Sequence, residues 1–174
     1  MASNIGRLTY TNSTSEYIGE IEDLKKHGCG IFKDHATGRR YEGEFEDDFA
    51  IGEGTLYFPN GDVFTGHVDK MIRHGPGIMQ YKDSNRVFEG MFEKDLKEGI
   101  GFYFQADGRV YCGQFRGDKE EGVGEFLDSN QIETHFKRVD TTKVEMIKDK
   151  LFKISRQLNR LGIKSQAIQP SVTI

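Results

Sequence analysis

Tyr41-Glu42-Gly43-Glu44-Phe45, with Gly52-Glu53-Gly54 beginning nine residues after its glycine, is the stretch on which the reading of this chain turns. Its pattern is aromatic, any, Gly, any, apolar, and then Gly-x-Gly. The first half recurs as Tyr17-Ile18-Gly19-Glu20-Ile21, Phe64-Thr65-Gly66-His67-Val68, Phe88-Glu89-Gly90-Met91-Phe92 and Tyr111-Cys112-Gly113-Gln114-Phe115. The second half recurs as Gly28/Gly30, Gly75/Gly77, Gly99/Gly101 and Gly122/Gly124, always at an offset of 9. Successive units are 24, 23, 24 and 23 residues apart, and the pattern uses 15 of the 21 glycines. Five copies with one internal offset identify a repeat array, and each unit must stack on its neighbours to bury a core.

Each unit reads as a β-hairpin. Alternation puts Tyr41, Gly43 and Phe45 on one face of the first strand and Glu42 and Glu44 on the other. In the second strand Gly52, Gly54 and Leu56 share a face, and Phe32, Met79, Tyr103 and Phe126 stand where Leu56 does. Aromatics therefore alternate with glycines on one apolar face. The expected reason for the glycines is room, because a neighbouring ring can lie over a position without Cβ. Asn60-Gly61 and Asp107-Gly108 are reverse-turn dipeptides between units, and Thr37-Gly38, Ser84-Asn85 and Ser129-Asn130 hold the same place.

The predicted fold is mainly β: an elongated single-layer antiparallel meander of hairpin repeats, ending in one C-terminal amphipathic α-helix. The array spans 1–136, with full units at about 17–36, 41–59, 64–82, 88–105 and 111–128 and partial units at 6–10 and 132–136. After Asp140 the apolar period changes from 2 to 3.6. Val144, Ile147, Leu151, Ile154, Leu158 and Leu161 form one helical stripe over 140–163, and 164–174 reads as a mobile tail. Thr142-Lys143-Val144-Glu145 fits a capping box and Gly162 a C-terminal stop.

The pattern resembles the MORN repeat (membrane occupation and recognition nexus), whose units read roughly Tyr-x-Gly-x-Phe/Trp and then His-Gly-x-Gly. His27-Gly28-Cys29-Gly30 and His74-Gly75-Pro76-Gly77 carry the His-Gly form, whereas Ile51, Glu98 and Glu121 replace the histidine and no Trp is present. The resemblance implies an elongated antiparallel sheet acting as a scaffold at cytoskeletal, ciliary, junctional or membrane-adjacent sites. A short array with a terminal helix also resembles, in layout alone, the retinophilin type, which is associated with unconventional myosin tails.

Charge divides the chain. Residues 1–136 carry 15 Lys and Arg against 25 Asp and Glu, a net −10, while 137–174 carry 9 against 3, a net +6. An acidic body disfavours nucleic acid, whose phosphates need Lys and Arg. An acidic body with a basic tail suggests a tail that docks on its own sheet. The alternatives are pairing of two helices in a homodimer, or an exposed helix that meets a partner or an anionic membrane through Lys148, Lys150, Lys153, Arg156 and Arg160. Val172-Thr173-Ile174 is a weak match to a PDZ-type ligand.

No apolar run opens the chain, so no signal peptide is expected, and Asn12-Ser13-Thr14 reads as a chance sequon. Cys29 and Cys112 fit buried thiols of a reducing compartment, and the expected location is cytoplasmic, against the cytoskeleton, a cilium or the inner membrane face. No catalytic motif, metal-ligand spacing or cofactor site is legible. The Gly-x-Gly pairs lack the third glycine and the following helix of a phosphate loop. The acidic run Glu44-Phe45-Glu46-Asp47-Asp48 reads as a solvated strand face and loop rather than paired catalytic carboxylates. The expected function is non-enzymatic: a scaffold whose glycine-aromatic face binds a protein segment, such as a cytoskeletal or motor-protein tail. Tyr17, Tyr41, Phe64, Phe88, Tyr111, Phe45, Phe92 and Phe115 are expected to line or support that groove. The alternative is a peripheral membrane protein held by the basic helix.

Overall fold

The computed structural model describes residues 4–10 and 14–127. The expected helix at 140–163, the partial unit at 132–136 and the tail at 164–174 lie outside the described residues. Within them the chain forms eleven strands: β1 (Asn4–Thr9), β2 (Ser15–Glu22), β3 (Lys25–Asp34), β4 (Arg39–Glu46), β5 (Phe49–Tyr57), β6 (Val63–Asp69), β7 (Ile72–Tyr81), β8 (Arg86–Glu93), β9 (Leu96–Phe104), β10 (Val110–Arg116) and β11 (Lys119–Leu127). They pair in sequence order as one open antiparallel sheet. The meander follows from the short connections, which permit only antiparallel neighbours.

Register aligns the repeats. Glycine faces glycine within each unit (Gly19↔Gly30, Gly43↔Gly54) and between units (Gly30↔Gly43, Gly54↔Gly66). Gly6 faces Gly19, so the partial unit at 6–10 belongs to β1 and joins the same line. A belt of backbone without side chains thus runs across the sheet, and the rings of Tyr17, Tyr41, Phe64, Phe88 and Tyr111 lie over it. A Cβ at Gly43 or Gly54 would run into the Tyr41 ring, and one at Gly30 into that of Tyr17.

Room explains only two of the three glycines in each unit. The first of each Gly-x-Gly pair has a left-handed backbone: φ is 55° at Gly28, 94° at Gly52, 71° at Gly75, 73° at Gly99 and 72° at Gly122. The register steps beside it, as between Gly43 and Phe45. This glycine makes a β-bulge, a conformation that L-residues rarely adopt.

Within each unit the strands join through two residues of positive φ: Asp23-Leu24, Asp47-Asp48, Lys70-Met71, Lys94-Asp95 and Gly117-Asp118. Nine of these ten positions are not glycine, although the left-handed region costs an L-residue roughly 1–2 kcal/mol. Contacts between repeats hold the turns in place. Asp48 N donates to Lys26 O at 3.0 Å while Lys26 N donates to Asp48 Oδ1 at 2.9 Å. Asp95 makes the same reciprocal pair with Arg73, and Asp118 with Lys97. These three turns thereby cap the strand start of the preceding unit.

The middle joint is built differently. Met71 stands where Asp48, Asp95 and Asp118 do, and Lys70 N donates to Ala50 O at 2.8 Å. Val68, fully buried, occupies the place of Phe45, Phe92 and Phe115.

Candidate interaction surface

The aromatic face has a buried floor. Tyr17, Tyr41, Phe64 and Phe88 are 0 % exposed, and Tyr111, Phe45, Phe92 and Phe115 at most 5 %. A ring at the end of one unit bridges two belt rings edge-on. Phe45 lies 4.9 Å from Tyr17 and 5.3 Å from Tyr41. Phe92 lies 5.1 Å from Phe64 and 5.3 Å from Phe88, and Phe115 lies 4.9 Å from Phe88 and 5.8 Å from Tyr111. Edge-to-face pairs add about 0.5–1.5 kcal/mol each to burial. The chain of rings breaks once, at Val68.

Two tyrosines use their polar ends in the floor. The Tyr17 hydroxyl donates to Glu20 O at 2.7 Å, with His27 O at 3.1 Å. The Tyr41 hydroxyl points between Glu44 O and Glu53 O at 3.3 and 3.4 Å. These carbonyls lie beside the bulges, where the ladder is interrupted. Burial pushes both phenols well above their ordinary range. The eight rings expected to line or support a groove are therefore its packed floor, with almost no surface to offer.

What stands above the floor is a second set of rings, of which the sequence placed Phe32, Tyr103 and Phe126 on the apolar face but did not single out Phe58 and Tyr81. Phe32, Phe58, Tyr81 and Tyr103 are half-buried, packed against the core, and Phe126 is 52 % exposed. Tyr81 and Tyr103 pack edge-on at 6.2 Å. Burial, then the neighbouring Tyr103, pushes the Tyr81 phenol up to about 12.

Cations sit between these rings. Lys26 Nζ lies 5.2 Å from the Tyr10 ring and 5.5 Å from that of Phe32. The Arg73 guanidinium lies 5.0 Å from Phe92 and 5.7 Å from Phe58. Lys97 Nζ has four rings around it: Tyr103 at 5.1 Å, Phe88 at 5.4 Å, Phe115 at 5.7 Å and Tyr81 at 5.8 Å. Burial pushes its pKa down, against the pull of Asp118. Arg73 is also paired with Asp95 at 3.0 Å, and Lys26 with Asp48 at 3.2 Å. The three cations occupy one repeat position, two residues before each Gly-x-Gly, where the second unit has Ala50 and the fifth Glu120. That spacing was the signal by which the sequence could have revealed them. An acidic protein thus presents a face whose floor carries positive charge among aromatics.

The opposite face differs. Its N-terminal half is polar: Glu16 with Lys33 and Arg7, and Glu42, 2 % exposed, with Arg40. The Tyr57 hydroxyl donates to Glu42 at 3.3 Å, and the Arg40 guanidinium lies over the Tyr57 ring. Hydrogen bonds from Lys33 and Arg7 hold the Glu16 carboxyl down at about 2. Among the described residues no group of three His, Cys, Asp or Glu could hold a metal ion. His27 faces Glu22 and His67 faces Glu53, as isolated pairs.

The family model described as MORN repeat matches residues 41–63, 72–86, 88–108 and 111–131. No curated protein matches the chain. One solved structure it is similar to is the TCP domain of SAS-4 from Drosophila melanogaster, in complex with a proline-rich motif of Ana2. That chain is 18 % identical, the likeness covers 71 % of each chain, and the TM-score is 0.41.

Proposed function

Since this chain belongs to the MORN-repeat family, we propose that it is a non-enzymatic scaffold that holds a segment of a partner protein on its glycine-aromatic face. One observation carries the reading: the row of half-buried rings Phe32, Phe58, Tyr81 and Tyr103, interleaved with Lys26, Arg73 and Lys97. Amphipathic rings and cations on a rigid support are what interface hot spots are made of, because aromatic area is gained at little loss of side-chain entropy. The buried ring floor beneath them supports the surface without contributing to contact. The segment that fits is apolar with at least one carboxylate, which would face Lys97 at the centre of its four rings.

The cytoskeletal, ciliary or membrane-adjacent setting, and a motor-protein tail as partner, belong to the same proposal. Peptide display against the full chain tests it. Selected peptides should carry Asp or Glu between apolar residues, and Lys97→Glu or the pair Phe58→Ala/Tyr81→Ala should weaken their binding at least tenfold while the thermal transition stays cooperative. Selection of basic peptides, or binding indifferent to all three positions, would remove the reading.

A further inference from the structure

The two described edges of the sheet are built differently. β11 carries Lys119, Glu120, Glu121 and Glu125, and its register against β10 steps between Cys112 and Gln114. Charges and bulges are the usual means of keeping an edge strand from pairing with another chain. β1 has no such protection. Asn4 to Thr9 pair with β2 residue for residue, without a step. The strand's one charge, Arg7, turns to the opposite face, where Glu16 holds it. Among the described residues β2 is the one neighbour of β1. The other side of β1 therefore presents a flat row of backbone N–H and C=O groups with no strand beside it.

Register identifies what is missing there. Ile5, Gly6 and Leu8 face Glu20, Gly19 and Tyr17, just as Cys29, Gly30 and Phe32 face Glu44, Gly43 and Tyr41. β1 thus holds the place of a unit's second strand. Each of the other five second strands also pairs with the first strand of its own unit, and that strand lays a ring over its glycine. Tyr17 covers Gly30, Tyr41 covers Gly54, Phe64 covers Gly77, Phe88 covers Gly101 and Tyr111 covers Gly124. At Gly6, among the described residues, only Ile21 comes within 4 Å of where a Cβ would stand, its Cδ1 at 2.6 Å. Ile21 occupies the place of Phe45, which packs edge-on against the ring of the unit before it, Tyr17, at 4.9 Å. With no earlier ring to meet, the end of the Ile21 side chain falls over the glycine.

We propose that the free side of β1 receives an extended segment of a partner protein, antiparallel to it, with the sequence aromatic-acidic-Gly. Pairing within the units sets this order. Tyr17 faces Phe32 and Gly19 faces Gly30, as Tyr41 faces Leu56 and Gly43 faces Gly54. On β1 the partner's ring therefore stands opposite Leu8 and its glycine opposite Gly6, with the ring lying over the belt. The residue between them meets Arg7, whose side chain is 62 % exposed and offers its guanidinium to a carboxylate. Backbone hydrogen bonds supply affinity in such strand addition, and the side-chain slot supplies selectivity. A ring laid across an edge glycine also compensates for what glycine costs the strand. Asn4 to Thr9 contain no aromatic residue, so a second copy of β1 would leave the slot unfilled. The site lies at the end of the sheet, away from Arg73 in β7 and Lys97 in β9, and can be lost without disturbing them.

The chain supplies its own probe. A synthetic peptide of β4, Arg39 to Glu46, carries Tyr-Glu-Gly in the required order. In the full chain, alternate amides of Asn4 to Thr9 should exchange rapidly, and saturating peptide should slow them at least tenfold. The Tyr41→Ala and Gly43→Val forms of the peptide should bind at least tenfold more weakly. Gly6→Val in the full chain should weaken the parent peptide equally. Only the mobile end of Ile21 stands in the way of the new side chain, and slow exchange in β2 and β3 checks that the sheet still forms. Lys97→Glu should leave peptide binding unchanged. Alternate amides of β1 that are already slow in the free chain at every concentration would assign the edge to the chain's own covering. Slowing that appears only as chain concentration rises would assign it to a second copy. Either result overturns the proposal. So does a peptide that binds equally in all three forms, binds without slowing β1, or is weakened by Lys97→Glu.

Discussion

On the aromatic face the units are near copies of one another, while on the opposite face neighbouring units differ in charge, size and polarity. The contrast has a physical source. The aromatic face is where one repeat meets the next, each ring lying over the glycine belt and touching the terminal ring of the following unit. A change there is felt at two joints, so the pattern repeats. A residue on the opposite face meets its in-plane neighbours and whatever covers it, so each position is free to follow its local partner. The first face builds the sheet; the second gives the array its ends.

This contrast can be broken most severely at the belt. Gly54→Val places a branched side chain inside the Tyr41 ring and should abolish cooperative unfolding. The complementary truncation Tyr41→Ala should cost about 3–5 kcal/mol in a urea titration, the usual range for losing a buried aromatic. Thr55→Val on the opposite face, where Thr55 and Thr65 hydroxyls are 3.4 Å apart, should change stability by less than about 1 kcal/mol. Comparable losses at the two sites would end the distinction between the faces.

The turns between them come next. Asp95→Ala removes the acceptor of Arg73 N and Nε and should cost about 1–3 kcal/mol, for a lost charge-assisted pair. Amide exchange at Arg73 should rise with it, while exchange in β10–β11 stays slow. A smaller effect of opposite sign is expected at Leu24, 86 % exposed with φ of 62°. Leu24→Gly should raise the midpoint by about 0.5–1 kcal/mol in stability, since glycine adopts that backbone without strain.

The mildest test is by pH. The Glu16 carboxyl is held at about 2 by Lys33 and Arg7, below its ordinary 4.5. A depressed folded-state pKa contributes stability that is complete above about 4.5 and lost as pH falls toward about 2. Glu16→Gln should therefore lower stability at neutral pH, flatten the acid limb of the stability curve between those values, and match the parent protein below about pH 2. An identical acid limb in the variant would show that this end of the opposite face contributes nothing to folding.

Repeat length, strand number per unit, the identity of the aromatic face and the glycine belt were all legible in the chain, because each depends on spacing and alternation alone. The rings expected to line or support a groove lie in the buried layer over the glycine belt, in the supporting position. Tyr41 and Phe45 announce an apolar face, but alternation does not tell which rings sink over glycine and which, like Tyr81 and Tyr103, remain half-covered. The role of Gly52 was also hidden, since a bulge and a slot ask for the same residue. The turns Lys70-Met71 and Asp23-Leu24 carry no glycine to mark them; at the first, a hydrogen bond from Lys70 N to Ala50 O of the preceding unit holds the backbone.

By itself, then, the sequence determined that hairpins stack in series with rings over glycines, because a period of 2 nested in a period of 23 or 24 has no other compact solution. Only the tertiary structure decided what lies beside what across the strands: Lys97 among four rings, Asp95 on Arg73, and Glu42 between Arg40 and Tyr57 on the opposite face. Those neighbours are brought together by register, and register is a property of paired strands that no single strand contains.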